Sequence, residues 1–180
     1  MTSPVAPTLT TSRLLLRPHR ADDLEACLEL WQDSVVTRHT SGRPLSRQDV
    51  WTRLLRHPGH WALLGFGYWV VEERETGRFV GEIGLGRFKR DLLAGQPELD
   101  AMPEAGWVTL PWAHGRGYAH EAVSAALAWR DENVPGPATF CIISPENAAS
   151  VRLAERVGFA VTGEAGSPED RVLVLTRLLK

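Results

Sequence analysis

The sequence predicts a mixed α/β domain, and two patterns along the chain carry that prediction. Two strand-like runs, residues 68–73 and 78–85, are joined by a short polar turn that contains Gly77, which is typical of an antiparallel hairpin. Further along, a run over residues 105–110 precedes a helix-forming segment and a β-branched and aromatic run over residues 139–143. Because parallel neighbours need such a crossover, this βαβ order predicts a parallel pair in the same sheet.

The elements before the hairpin follow from hydrophobic spacing and from capping residues. Residues 14–16 are expected to form a first strand, and residues 21–32 carry apolar side chains at helical intervals. A second helix is expected over residues 47–57, with Ser46 as its N-cap. Pro58 and the glycine after it are expected to end that helix.

The last third of the chain predicts one more helix and two strands. The helix is expected over residues 148–157, with Gly158 as a left-handed C-cap. Strands are expected over residues 159–162 and 171–178. At 180 residues and 43% hydrophobic composition, one domain over residues 1–180 is the expected organisation.

Composition restricts the classes of partner. Twenty lysines and arginines against 22 acidic residues give a net charge of −2, which produces no field that would attract nucleic acid or anionic lipid. Cys27 and Cys141 lie too far apart in sequence to suggest a disulfide framework or a metal motif. With no signal peptide or membrane-spanning run expected, the predicted location is the cytoplasm.

The segment over residues 110–121 carries the strongest chemical signal. Gly115 and Gly117 stand between a strand and a helix, where their backbones can approach a ligand closely and direct several N–H groups at one point. The helix N-terminus favours an anion, and Arg116 could add a charge-assisted contact to phosphate. From geometry alone, phosphate binding and a purely structural turn remain equally open.

The segment over residues 144–159 has a structural interpretation of its own. Asn147 is a good N-cap, Gly158 ends the helix, and three residues between them form a buried stripe, namely Val151, Ala154 and Val157. On this evidence the helix could serve only as scaffold.

Two other groups of reactive side chains are given structural interpretations. Cys141 lies in an apolar strand without a paired base, so it is expected to behave as a small buried hydrophobe rather than as a nucleophile. His57 and His60 are expected in a loop without a third ligand nearby, so no metal site is predicted.

Taken together, the two segments resemble the GNAT acetyltransferases. Residues 115–119 are similar to the family's CoA diphosphate turn, and residues 147–150, followed by the Gly-Phe pair at 158–159, are similar to its pantetheine-binding helix. The opening at residues 9–18 and the segment at 104–107 resemble the RimJ/RimL-like branch. The resemblance implies a mixed, largely antiparallel sheet with a central parallel pair and helices on both faces.

The resemblance implies acetyl-CoA as the cosubstrate and no metal. It places acetyl-CoA between two diverging strands, with pantetheine paired to the backbone of Val108 and Leu110 and with N–H groups near Leu110 polarising the thioester carbonyl. The residues expected to bind the cofactor are Val108, Leu110, His114, Gly115, Arg116, Gly117, Tyr118, Ala119, His120, Asn147 and Ser150. Two positions depart from the family pattern: Trp112 replaces a polar residue near the diphosphate, and Ala154 replaces the hydroxyl thought to protonate the thiolate.

The catalytic base is expected to be a carboxylate. Glu104 is the first candidate, because it enters the strand that would hold the thioester, although it could equally be a solvated side chain. Glu82 could act through water, although a surface-facing strand position is the simpler expectation for it. His120 has a pKa suited to proton transfer but follows the phosphate turn, which would place it too far from the thioester.

The function implied is direct acetyl transfer to a primary amine, either a peptide or protein N-terminus or a small molecule. The alternative is a CoA-binding regulatory or interaction protein with a degenerate catalytic site, suggested by Trp112 and Ala154. Residues 31–51 and 87–103 would form the acceptor side, and their composition does not choose between acceptors. Assembly as a homodimer is left open.

Overall fold

The computed structural model describes residues 5–168 and 170–179, and within them eight strands form one sheet. The strands are β1 (Leu9–Thr10), β2 (Leu14–Arg17), β3 (Tyr68–Glu73), β4 (Phe79–Gly86), β5 (Glu104–Thr109), β6 (Ala138–Ile143), β7 (Ala160–Ala165) and β8 (Val172–Leu178). Their order across the sheet is β1-β2-β3-β4-β5-β6-β8-β7. Among these described strands, only β5 and β6 run parallel to each other, and all other neighbours are antiparallel.

Six α-helices occur in the described ranges. They are α1 (Leu24–Gln32), α2 (Ser34–Thr37), α3 (Arg47–Leu64), α4 (Pro97–Asp100), α5 (Tyr118–Asn133) and α6 (Ala148–Arg156). α5 is the crossover between β5 and β6, so the predicted βαβ unit is confirmed, as is the β3–β4 hairpin. None of the helices in the described residues is both long enough and apolar enough to cross a membrane.

Helices cover both faces of the sheet, as the mixed fold class predicts. On one face, Ala122 of α5 belongs to the same buried cluster as Ile83 of β4. On the other face, Leu28 of α1 and Val50 of α3 form a second cluster that includes Leu110, just after β5. Helices therefore cover the central strands on both faces of the sheet. The edge at which β5 ends is held in place between them.

The prediction that Pro58 ends the second helix is wrong, because α3 continues through it to Leu64. Proline removes one backbone hydrogen bond and costs roughly 3 kcal/mol inside a helix. The next turn compensates through Trp61, which is buried and meets Trp69 and Trp129 edge-on, with ring centroids 4.9 and 5.1 Å apart. The helix ends instead at a glycine in the left-handed region, with φ of 74°.

Close packing with the neighbouring segment explains Gly84, one of the glycines in the second strand of the hairpin. A Cβ at Gly84 would overlap the backbone of Gly67 and Tyr68 on the neighbouring chain segment. The strands approach closely at this point, and no side chain fits between them.

We predict that Gly84→Ala destabilises the fold by about 1–3 kcal/mol, because backbone on both sides must move to admit one methyl group. Gly59→Ala is the matched control, since Gly59 lies in α3 and a Cβ there meets nothing within 4 Å. That control should be neutral or stabilising by up to about 1 kcal/mol. Chemical denaturation measures both variants, and equal stabilities for the two would contradict the packing argument.

Candidate active site

The sheet splits between its two parallel strands. β5 and β6 are in register only at Glu104 and Phe140, where the Phe140 N–H donates to the Pro103 carbonyl at 3.1 Å. Beyond that pair the strands separate, and β5 changes from buried at its first two residues to half-buried over its last four. The backbone on the β6 side of β5 therefore has no strand partner beyond that point among the described residues.

The backbone groups that face the split are not those expected. The Leu110 N–H donates to the Val80 carbonyl on β4, and the Leu110 carbonyl accepts from the Ala113 N–H, both at 2.9 Å. Since hydrogen-bonded pairs alternate along an antiparallel ladder, Val108 also points its N–H and C=O at β4. Pairing of pantetheine with Val108 and Leu110, and polarisation of a carbonyl by the Leu110 N–H, do not fit this geometry.

Trp107 and Thr109 carry the groups that point toward β6. They alternate with the residues bonded to β4, so their N–H groups face the split. The Thr109 carbonyl accepts a hydrogen bond from His114 Nε2 at 3.0 Å. That pantetheine pairs with β5 stays a prediction, and the β5 backbone groups that face the split belong to Trp107 and Thr109 rather than to Val108 and Leu110.

The split opens into a cleft of about 790 Å³. Its walls include Glu104, Trp107 and Val108 from β5, Asn147 and Ser150 from α6, and side chains from α1 and α3 on the opposite side. This size is that of a ligand pocket. The cleft joins the expected cofactor side to the expected acceptor side.

The turn before α5 has the conformation that its glycines predict. Gly115 and Gly117 have φ of 72° and 78°, both in the left-handed region. Gly117 is the N-cap of α5, and no side chain caps this end of the helix. The N–H groups of Tyr118, Ala119 and His120 therefore lack intrahelical partners and form an anion-binding point.

Glu121 ties the opening segment of the chain to this turn. Its Oε1 accepts hydrogen bonds from the Thr11 hydroxyl at 2.6 Å and from the Arg13 N–H at 2.9 Å, and its Oε2 accepts from Arg13 Nε at 2.7 Å. Burial alone would raise the pKa of Glu121, but these donors outweigh it and lower the pKa to about 2. Arg13 also donates to the Arg116 carbonyl at 2.8 Å, which holds the turn against the opening segment of the chain.

Trp112 has two arginines near its ring, and its own Nε1 makes no hydrogen bond among the described residues. The guanidinium carbon of Arg78 lies 3.9 Å from a ring centroid of Trp112, and the guanidinium carbon of Arg116 lies 5.6 Å from one. Such cation–π contacts hold guanidinium groups in place. The position that departs from the family pattern thus organises two cations beside the turn.

Helix α6 contributes its N-terminal polar residues to the cleft. Asn147 Oδ1 accepts from the Ser150 N–H at 3.2 Å, as the N-cap prediction requires. Trp107 Nε1 donates to Ser150 Oγ at 3.3 Å, which links this helix to β5 across the split. Ala154 is fully buried and offers no polar group.

Glu104 lies on the floor of the cleft and is paired with an arginine. Its side chain is only 6% exposed, which excludes the freely solvated carboxylate considered from sequence. Arg90 Nε donates to Oε2 at 2.8 Å and Arg90 Nη2 to Oε1 at 2.7 Å, a bidentate pair. No local sequence pattern indicates Arg90, because the two residues are brought together only by the folding of the loop between β4 and β5.

Glu82 is completely buried, so the expectation of a surface-facing position is wrong. Its Oε2 accepts from Trp31 Nε1 at 2.6 Å, and its Oε1 accepts from His19 Nε2 at 2.9 Å. Burial would raise the pKa of Glu82, but the hydrogen bond from His19 and the nearby His57 ring, whose Nε2 lies 3.5 Å from Oε1, hold it well below its usual range. Glu82 does not line the cleft.

The expectation that His57 and His60 lie in a loop is also wrong, since both are on α3. The His57 and His19 rings stack with centroids 4.3 Å apart, and their ligand atoms lie with those of Glu82 within 4.8 Å of one another. This arrangement is one that could hold a metal ion. Since the Glu82 oxygens already accept from Trp31 and His19, the hydrogen-bond network accounts for the buried carboxylate by itself.

Comparison with known proteins agrees with this geometry. A family model described as an acetyltransferase (GNAT) domain matches residues 13–160. The solved structure of a putative GnaT-family acetyltransferase from Bordetella pertussis has a TM-score of 0.83 and 28% identity, covering 96% of this chain and 99% of that one. An acetyltransferase from Agrobacterium tumefaciens has a TM-score of 0.80 and 29% identity, with 95% and 94% covered.

A curated relative, the uncharacterized protein YkkB of Bacillus subtilis, is 31% identical over 94 residues. That match spans 52% of this chain and about half (51%) of the relative. The family match covers most of the chain, and the fold is shared over nearly its whole length. The chain therefore belongs to the GNAT acetyltransferase family.

Proposed function

We propose that this protein transfers the acetyl group of acetyl-CoA directly to a primary amine, either a peptide or protein N-terminus or a small molecule. The observation that carries the proposal is the split between β5 and β6, which opens beside the uncapped N-terminus of α5. A strand-like ligand arm fits the split, and an anionic group fits the helix end.

In this proposal the turn and the split bind different parts of acetyl-CoA. The N–H groups of residues 118–120, together with Arg116 and Arg78, hold the diphosphate. The pantetheine arm pairs with backbone groups of Trp107 and Thr109, with Asn147 and Ser150 alongside. His114 positions the strand end through the Thr109 carbonyl.

Transfer is direct in this proposal, without an acetylated enzyme. Cys141 borders the cleft but is 1% exposed, and burial raises the pKa of its thiol. A protonated thiol is a weak nucleophile. The acceptor amine must therefore attack the thioester itself.

Glu104 is the proposed base, because it lines the cleft and Glu82 does not. Arg90 donates to both Glu104 oxygens, so the acceptor ammonium would use a remaining lone pair of one of them, beside the guanidinium. Glu82 is proposed to hold Trp31 and His19 in place on the acceptor side. His120 remains with the phosphate turn, at the start of α5.

The finer assignments are also proposals. Membership of the RimJ/RimL-like branch is supported by the opening segment, which the Glu121 contacts join to the turn. The fold is shared with a putative ribosomal-protein-serine acetyltransferase and with a spermidine N-acetyltransferase, both from Vibrio cholerae, at 20% and 19% identity. A cytoplasmic location is supported by the two buried free thiols.

The alternative of a CoA-binding regulatory protein is less well supported. Trp112 is one of the two residues that suggested this alternative, but it holds two arginines beside the turn. The cleft also keeps a carboxylate, Glu104. Release of free CoA thiol with an amine acceptor distinguishes the enzyme from a protein that only binds.

We predict that Gly117→Val abolishes acetyl-CoA binding without unfolding the protein. A β-branched side chain resists the left-handed conformation and would stand where the phosphates approach the turn. Gly136→Val is the matched control, since Gly136 also has positive φ, at 111°, with nothing within 4 Å of a Cβ. Calorimetric titration should show lost affinity in the first variant and parent affinity in the control. Parent affinity in a folded Gly117→Val would remove the ligand assignment.

We predict that Glu104→Gln lowers the rate constant for acetyl transfer by at least about tenfold at pH 7. Because more acceptor is already neutral at higher pH, the loss should shrink as the pH rises. Acetyl-CoA affinity should be retained, and Glu155→Gln on the exposed side of α6 is the control. Overlapping pH–rate profiles for Glu104→Gln and the parent would refute the base assignment, and Glu82→Gln measured in parallel would show whether that residue replaces it.

A further inference from the structure

The acceptor side of the cleft is lined by arginines. Arg38 follows α2, Arg53 lies on α3, and Arg90 lies in the loop between β4 and β5. Glu104, Glu146 and Asp170 are the carboxylates of the described lining, and Arg171 is its fourth arginine. Of Arg38, Arg53 and Arg90, only Arg90 has a carboxylate partner within residues 5–168 and 170–179, namely Glu104.

Arg53 is the most informative of these residues. Its guanidinium carbon lies 3.7 Å from the centroid of a Trp31 ring, which fixes the group against the wall of the cleft. Its Nε is buried without a hydrogen-bond partner, and its side chain forms no ion pair within residues 5–168 and 170–179. A buried guanidinium N–H is normally hydrogen-bonded, so the Arg53 Nε of this half-buried side chain lacks the partner that its burial requires.

Neighbouring charges do not supply that partner. Glu82 is the nearest buried carboxylate, but it is already hydrogen-bonded to Trp31 and His19. Burial lowers the pKa of Arg53; the charge of Glu82 opposes that effect, and the charge of Arg90 adds to it. An anion in the cleft would relieve both the desolvation of Arg53 and the repulsion between arginines.

Resting on the proposed function, we propose that the acceptor is a small primary amine that also carries an anionic oxyacid group, which pairs with Arg53. The anion would lie against the Arg53 guanidinium on Trp31, with Arg38 at the entrance, and the amine would point toward Glu104. Carboxylates and phosphonates share the oxygen geometry that a guanidinium recognises. A polyamine at this position would be repelled by Arg53, which has no carboxylate partner among the described residues.

The test compares acceptors that differ only in charge. L-alanine, L-leucine and L-glutamate are titrated into the protein–CoA complex beside their α-carboxamides and their 1-aminoalkylphosphonate counterparts, with spermidine as a cationic acceptor. We expect at least one carboxylate or phosphonate to bind at least about tenfold more tightly than its amide, as a charge-assisted pair predicts. Comparing the carboxylate acceptors with the phosphonate acceptors shows which of the two anionic groups the site prefers.

Arg53→Gln should remove this preference while leaving CoA affinity unchanged. Arg56→Gln is the matched control, since Arg56 is exposed on the same helix and does not line the cleft. With acetyl-CoA, Arg53→Gln should raise KM for the anionic acceptor by at least about tenfold, with a smaller effect on kcat.

Equal binding of acids and amides, tighter binding of spermidine, or an unchanged preference in Arg53→Gln would each overturn the inference. The binding measurements do not depend on acetyl transfer, so they test the inference even if no transfer occurs. Absence of thiol release with every amine would instead overturn the proposed function, so the two failures are distinguishable.

Discussion

The end of pairing between β5 and β6 is the constraint on which the rest of the site depends. A single registered pair at Glu104 and Phe140 holds the two strands together, and the crossover helix α5 begins where β5 ends. In a continuous sheet, neighbouring strands satisfy each other's backbone hydrogen bonds. Where β5 and β6 separate, N–H and C=O groups are left that need another partner. A ligand that binds as an added strand would provide one, and this is the role proposed for the pantetheine arm.

The two halves of the cleft are stabilised by different forces. On the cofactor side, hydrogen bonds from Thr11 and Arg13 to Glu121 fix the turn whose N–H groups are left free. On the acceptor side, a buried network around Glu82 positions Trp31, and Trp31 in turn holds Arg53. Rigid supports of this kind allow a charged group to stay desolvated in a cleft, where it interacts strongly with a ligand.

Sequence predicted the features that depend on local chemistry. The glycine turn, the Asn147 cap and the β3–β4 hairpin follow from residue types within a few positions of one another, and the structure contains all three. Which β5 residues face the cleft depends on the pairing register with β4, and a shift of one residue reverses the assignment. The bidentate pair of Arg90 and Glu104 brings together residues 14 positions apart, and the Glu82 network joins three elements. Neither has a local signal.

Helix α3 also shows that a local sequence pattern does not predict a feature that depends on distant packing. Pro58 is a strong local signal for a helix end, but the packing of Trp61 outweighs it. The same helix reaches the Glu82 network, because His57, just before Pro58, lies beside His19 and Glu82. Non-local packing thus decided both the length of the helix and the burial of a candidate catalytic carboxylate.

Amide hydrogen exchange, resolved by residue and measured with and without saturating acetyl-CoA, tests the central claim most directly. The split predicts that the amides of Trp107 and Thr109 exchange rapidly in the free protein and become at least about tenfold slower when the ligand pairs with them. The amides of Val108 and Leu110, bonded to β4, should be slow in both states. Protection confined to Val108 and Leu110, or no change at Trp107 and Thr109 in the saturated protein, would contradict the account.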